Sequence, residues 1–223
     1  TRDLAPGPLS TSPREIQGDG QRVIFVGTSP TVGVELFTSD GTAAGTKLLA
    51  DVDPGSGKTF GSSPRELTDA LGKTFFTADD GLHGRELWVT DHSGAGTKLV
   101  KDIRQGIAGS DPSEIVALGD IVLFRAFDGV RGWELWRSDG TSAGTYLVHD
   151  AFPGPSDGSP TGMTAFGGHV YYGAYDPKVG REIFRTDGTV RGTRLLKELG
   201  KTIGGSGPFR MQQVGSKLFF LFN

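Results

Sequence analysis

The residues best suited to chemistry in this 223-residue chain are one lysine–threonine pair and a set of recurring carboxylates. Lys58 and Thr59 lie in the stretch DPGSGKTFG (53–61), which reads like the tail of a phosphate-binding loop. The full pattern, G-x-x-x-x-G-K-[ST], needs a glycine at position 52, and Val52 stands there. It also needs a helix immediately afterwards, because the phosphate rests on a helix N-terminus. FGSSPRELTDALG follows instead, with Pro64 early in it. Half a motif in a chain with 36 glycines calls for another explanation.

The carboxylates recur. Glu35, Glu86, Glu134 and Glu182 are separated by 51, 48 and 48 residues. Two carboxylates flanking one bond can hydrolyse a glycoside. A glutamate repeated in every unit is spread evenly and reads instead as a structural group, held by backbone N–H and Thr hydroxyl donors. Asp40, Asp91, Asp139 and Asp187 open turns of the D-G-T type. Calcium takes about six to eight oxygens, more than one Asp per turn supplies. The expectation is therefore no cofactor, with calcium at these turns as the alternative. His83, His92, His149 and His169 fall at different repeat positions without paired metal spacing. No G-x-S-x-G element is present, so no catalytic constellation is legible and the expected answer is a non-enzyme.

The elements that carry these residues follow from the repeat. GVELFTSDGTAAGT (33–46), GRELWVTDHSGAGT (84–97), GWELWRSDGTSAGT (132–145) and GREIFRTDGTVRGT (180–193) align. Pro13, Pro64, Pro112 and Pro160 each precede the glutamate by 22 residues, and Pro208 lies 48 further on. Asp3, Asp51, Asp102, Asp150 and Glu198 precede these prolines by 10 residues, except for a gap of 13 in the second case. The extra three residues thus fall between Asp51 and Pro64, and the half phosphate motif is an enlarged connector.

One repeat, Pro64 to Ile103, splits at Gly and Asp-Gly punctuation into RELTDAL, KTFFTA, RELWVT and TKLVKDI. Each run is short and rich in β-branched and aromatic residues. Three connections suit antiparallel hairpins; only the fourth-to-first is long. Four-stranded units at this period predict an all-β fold, a β-propeller of about five four-stranded blades with 48-residue repeats. The repeats span about 13–63, 64–111, 112–159 and 160–207, within one domain, 1–223. A partial copy, 208–223, is expected to be closed by an N-terminal strand, 1–5. The fifth glutamate would fall at 230, past Asn223, which reads as missing C-terminal residues or a piece of a longer ring. A start at Thr1 without Met reads as a processed or trimmed piece.

Composition excludes several classes. The net charge of -3 argues against nucleic acid as a partner. No apolar run of about 18 residues exists, so no membrane insertion is expected. Without cysteine there are no disulfides and no thiolate metal sites. Fourteen Phe and three Trp spread along the chain argue against disorder.

Positions that vary inside a repeated framework are where a function can be grafted. Trp133 stands where the other repeats have Val34, Arg85 and Arg181. The second-to-third turns and the long connectors share one end of the blades. That end carries the candidate ligand-binding residues Asp80, His83, Arg85, Asp128, Arg131, Trp133, Asp176, Lys178 and Arg181. Asp, Arg and Trp together suit sugar hydroxyls or a peptide.

The motif G-x-E-L-[WF]-x-[ST]-D-G-T-x-x-G-T resembles the bacterial ELWxxDGT repeat family, through four copies that cover nearly the whole chain. It departs at His92 and Ser93, which replace Gly and Thr, and where Trp becomes Phe37 and Phe184. The resemblance implies a secreted or cell-surface protein of a bacterium and carries no defined activity. The functional expectation is a non-catalytic extracellular binding module engaging a glycan or protein partner on the loop face. The alternatives are a structural or adhesive repeat domain of a larger surface protein, and a carbohydrate-active enzyme with a central-channel site. The ligand and the oligomeric state are not written in the sequence.

Overall fold

The computed structural model describes residues 4, 11–18, 20–55, 60–197 and 210–221. Ser56 to Thr59, Pro208 and most of the expected N-terminal closing strand lie outside the described residues. The described chain forms two compact units, Thr1–Asp111 and Pro112–Asn223.

The first unit holds two four-stranded antiparallel sheets. One is β1 (Arg14–Gly18), β2 (Val23–Ser29), β3 (Gly33–Ser39) and β4 (Lys47–Ala50). The other is β5 (Arg65–Ala70), β6 (Lys73–Asp79), β7 (Arg85–Thr90) and β8 (Lys98–Lys101). The second unit repeats the plan with β9 (Ser113–Leu118), β10 (Ile121–Phe127), β11 (Trp133–Ser138) and β12 (Tyr146–His149). β13 (Thr161–Phe166), β14 (His169–Asp176), β15 (Gly180–Thr186) and β16 (Arg194–Lys197) follow. A two-stranded sheet, β17 (Arg210–Val214) and β18 (Lys217–Leu221), ends it. The strands meander in sequence order, as the turn chemistry predicts, and the described residues form no helix.

The middle strands of each four-stranded blade are buried on both faces, and within each unit neighbouring blades share a core. In the first unit Ile24, Val26 and Leu36 of one blade share a core with Phe76, Ala78 and Trp88 of the next. In the second unit Leu123, Leu135 and Val148 do so with Val170, Tyr172 and Phe184. This two-sided burial is why runs such as VLF and TFF lack clean alternation.

The first strand of each four-stranded blade is bulged. The residue before the proline has left-handed backbone at Ser12, Ser63, Asp111 and Ser159, with φ of 42, 47, 47 and 45°. So does the residue two after it, at Glu15, Glu66, Glu114 and Gly162, with φ of 51, 60, 57 and 66°. Such conformations cost non-glycine residues about 1–3 kcal/mol each and persist only when neighbours hold them. Here the amides of Ser63, Asp111 and Ser159 donate to the carbonyls of Val34, Arg85 and Trp133. The Glu15 carboxylate accepts the Leu67 amide, and Glu114 accepts those of Gly162 and Met163. Each of these glutamates thereby ties its first strand to the next blade.

Candidate functional site

The motif glutamates are fully buried: Glu35, Glu86, Glu134 and Glu182 are all 0% exposed. Glu35 accepts the amides of Val52 at 3.3 Å and Ser62 at 2.7 Å, and the Ser62 hydroxyl at 2.6 Å. Glu86 accepts the amides of Arg104 at 3.1 Å and Ser110 at 2.8 Å, and the Ser110 hydroxyl. Glu134 accepts Ala151 at 2.8 Å and Gly158 at 2.7 Å. These three carboxylates clamp the two ends of the long connector. Burial pushes Glu86 and Glu134 up to about 7, against the pull of their donors; for Glu134 the Asp150 charge adds to the rise. Glu35 is raised by burial too.

The D-G-T turns are self-contained. Asp40 Oδ1 accepts the amide and hydroxyl of Thr42, whose Oγ1 accepts the Gly45 amide. A Cβ on Gly45 would land on the Asp40 carboxylate, and the same holds for Gly96 on Asp91, Gly144 on Asp139 and Gly192 on Asp187. The spacing D-x-x-x-x-G is therefore steric. At His92 and Ser93 the turn survives, because Ser93 supplies the hydroxyl and His92 takes the left-handed φ of 71°. Among the described residues no group of three or more His, Cys, Asp or Glu is placed to hold a metal ion.

The nine candidate loop-end residues divide between the units. In the first, Asp80 accepts the amides of Leu82 and His83 and the His83 ring at 2.7 Å. The Asp80 hydrogen bond raises the His83 pKa. Arg85 donates to the Thr77 carbonyl and hydroxyl at 3.2 Å. Asp80 also lines an open hollow of about 650 Å³ with Val52, Asp53, Pro54 and Leu82.

In the second unit Asp128 repeats the arrangement, taking the amides of Val130 and Arg131 and the Arg131 guanidinium at 2.6 Å. Asp176 accepts the Lys178 amide at 2.7 Å, and Lys178 is exposed. Trp133 and Arg181 come together with residues the sequence reading did not single out. Arg125 stacks on the Trp133 ring at 5.1 Å and donates from Nε to Ser113 Oγ at 2.8 Å. Arg181 lies over Tyr175 at 5.3 Å and donates to Thr161 Oγ1 and the Ser159 carbonyl. Ser113 and Thr161 hold the same repeat position, one after the proline. Two guanidiniums thus reach equivalent places from different strands. Arg125 pairs across from Ser113 on the adjacent strand, whereas Gly173, across from Thr161, leaves room for Arg181. Arg125 was detectable in the repeat alignment, where it replaces Val26, Thr77 and Gly173.

No family model and no curated protein sequence matches the chain. Solved structures do. A puromycin hydrolase mutant complexed with PGG superposes with a TM-score of 0.57 at 16% identity, over 98% of this chain and 34% of that one. A Mycobacterium tuberculosis puromycin-hydrolyzing peptidase gives 0.51 at 13%, over 99% and 35%. Pyrococcus horikoshii acylaminoacyl peptidase gives 0.54 at 13%, over 93% and 31%. The chain spans about a third of the length of these structures.

These findings correct the functional expectation. The fold likeness points away from a glycan- or protein-binding module, an adhesive spacer and a channel-site carbohydrate enzyme: the matched structures are puromycin hydrolases and peptidases. In the loops, Asp80 with His83 and Asp128 with Arg131 close their own turns. No helix among the described residues is long and apolar enough to cross a membrane. The likeness is one of fold, and the chain is an all-β propeller of four-stranded blades.

Proposed function

We propose that this chain is the propeller portion of a peptidase-type hydrolase, working beside a separate catalytic domain. The observation that carries the reading is the lopsided coverage: 98% of this chain against 34% of the puromycin hydrolase. The buried glutamates fit a non-catalytic role. Glu35, Glu86 and Glu134 are fully buried and have their oxygens occupied by connector amides and hydroxyls. A general acid or base must instead reach the proton it transfers. One of the similar structures, a pair of prolyl endopeptidases, was described for the role of inter-domain dynamics in catalysis and specificity. A propeller of this kind would contribute to a hydrolase through its contacts with the catalytic domain.

The test recovers the native polypeptide from producing cells with an antibody against this chain. Its mass is read, and it is assayed on puromycin and on aminoacyl and prolyl anilides beside the isolated chain. The expected result is a polypeptide well above 23.6 kDa that cleaves at least one of these amides, while the isolated chain cleaves none. A native polypeptide with no further domain, or a longer one inert on all of them, overturns the reading.

A further inference from the structure

The second unit holds a half-buried guanidinium that is fixed but not used up. Arg125 is anchored through Nε to Ser113 Oγ and through its face to Trp133. Its two terminal amino groups have no hydrogen-bond partner among the described residues, so a planar fork is left open on a rigid mount. Beside it, Arg181 is held by Thr161, the Ser159 carbonyl and the Tyr175 ring. Burial pulls the Arg181 pKa down, and the like charge of Arg125 adds to that pull. The carboxylate close to this pair, Glu114, is committed through Oε2 to the Gly162 and Met163 amides. Glu114 acts on the Arg181 charge while its hydrogen bonding is directed to those amides. The Trp133 ring is half-buried and Tyr175 is 41% exposed, which puts apolar surface next to the charge.

We propose that Arg125, with Arg181 beside it, binds a small carboxylate whose apolar or aromatic body lies against Trp133 and Tyr175. A guanidinium fork matches the two oxygens of a carboxylate. Glu114 disfavours a second negative charge, which selects against phosphate dianions. Fixing the fork in advance removes the entropy of ordering a long side chain on binding. The site stands independently of the hydrolase reading, since binding is measured on the chain itself.

The experiment is calorimetric titration of the 223-residue chain with phenylacetate, phenylacetamide and inorganic phosphate. Phenylacetate should bind saturably, with the amide and phosphate weaker by roughly tenfold or more. Arg125→Gln should abolish binding with the circular dichroism spectrum unchanged. Ser113→Ala, which keeps the charge and frees its mount, should weaken binding several-fold, and it serves if the first variant does not fold. Equal binding of the amide shows an apolar patch only and overturns the proposal. So do equal or tighter phosphate binding, no binding of phenylacetate, and retention of affinity in either folded variant.

Discussion

The buried glutamates make the protein lose stability as the solution becomes more alkaline, across a range where most carboxylates have already titrated. The folded-state pKa of Glu86 and of Glu134 is about 7, against an ordinary 4.5. Between these values the folded state holds a proton that the unfolded chain has released. Stability is then fully present below 4.5 and is lost as pH rises through 7. Each pH unit of that window corresponds to about 1.4 kcal/mol, so each glutamate lowers stability by roughly 3 kcal/mol at pH 8 relative to pH 4. Urea unfolding at half-unit steps of pH reads the slope, and Glu86→Gln and Glu134→Gln each remove one glutamate's share of it. The slope is diagnostic even though glutamine leaves one connector amide without an acceptor and so costs stability at every pH. Two histidines titrate nearby. His83 is raised by Asp80 and acts in the same direction, but its side chain is 37% exposed and solvent screens it. His149 is lowered by burial, so its contribution is present above 6.5 and lost as pH falls. Stability that stays flat or rises from pH 5 to 8, or glutamine variants with the parent slope, would refute the reasoning.

Above pH 7, where Glu86 is ionised, Ser110→Ala removes a charge-assisted hydrogen bond and should cost about 1.5–3 kcal/mol by denaturant unfolding. Gly158→Ala should cost about 1–3 kcal/mol, because the added Cβ meets the Glu134 carboxylate and Ala151. Tyr172→Phe deletes the 2.9 Å bond between the buried phenol and His149 Nδ1 and should cost about 1 kcal/mol, read from the unfolding midpoint. Deleting Ser56, Gly57 and Lys58 restores the connector spacing of the other blades and should change stability by only a few tenths of a kcal/mol. A loss above about 2 kcal/mol on that deletion would mean the segment is more than slack.

The blade plan was legible because each level of the sequence agreed on it. Gly167 and Gly168 both take positive φ where β13 turns into β14, and the Asp-Gly-Thr turns close as their side chains require. The bulged first strands were not legible. Nothing local favours a left-handed Glu15 or Glu114; each is held by an amide of the next blade, some 50 residues away. The pairing inside the candidate loops was not legible for a related reason. Asp128 and Arg131 are spaced for a ligand and equally well for each other, and in the folded chain they pair at 2.6 Å. Arg125 escaped notice because VLFRAF reads as core, and its Trp133 mount lies on a different strand.

The connector around 53–61 shows why a fold of this kind tolerates such an insertion. A long loop brings orphan amides to the end of a buried sheet, and each needs an acceptor. Glu35 supplies both acceptors at once, at Val52 and at Ser62. In the next blades the first anchor stands at nearly the same distance from the glutamate, at Arg104 and Ala151. The second anchor, at Ser110 and Gly158, is three residues nearer than Ser62 is to Glu35. The extra residues therefore fall between two clamped points, where lengthening costs only loop-closure entropy. The carboxylate that looked like a catalytic group and the lysine that looked like a phosphate ligand are thus parts of one device. The first fixes the ends of the connector, and the second falls between those ends in the sequence.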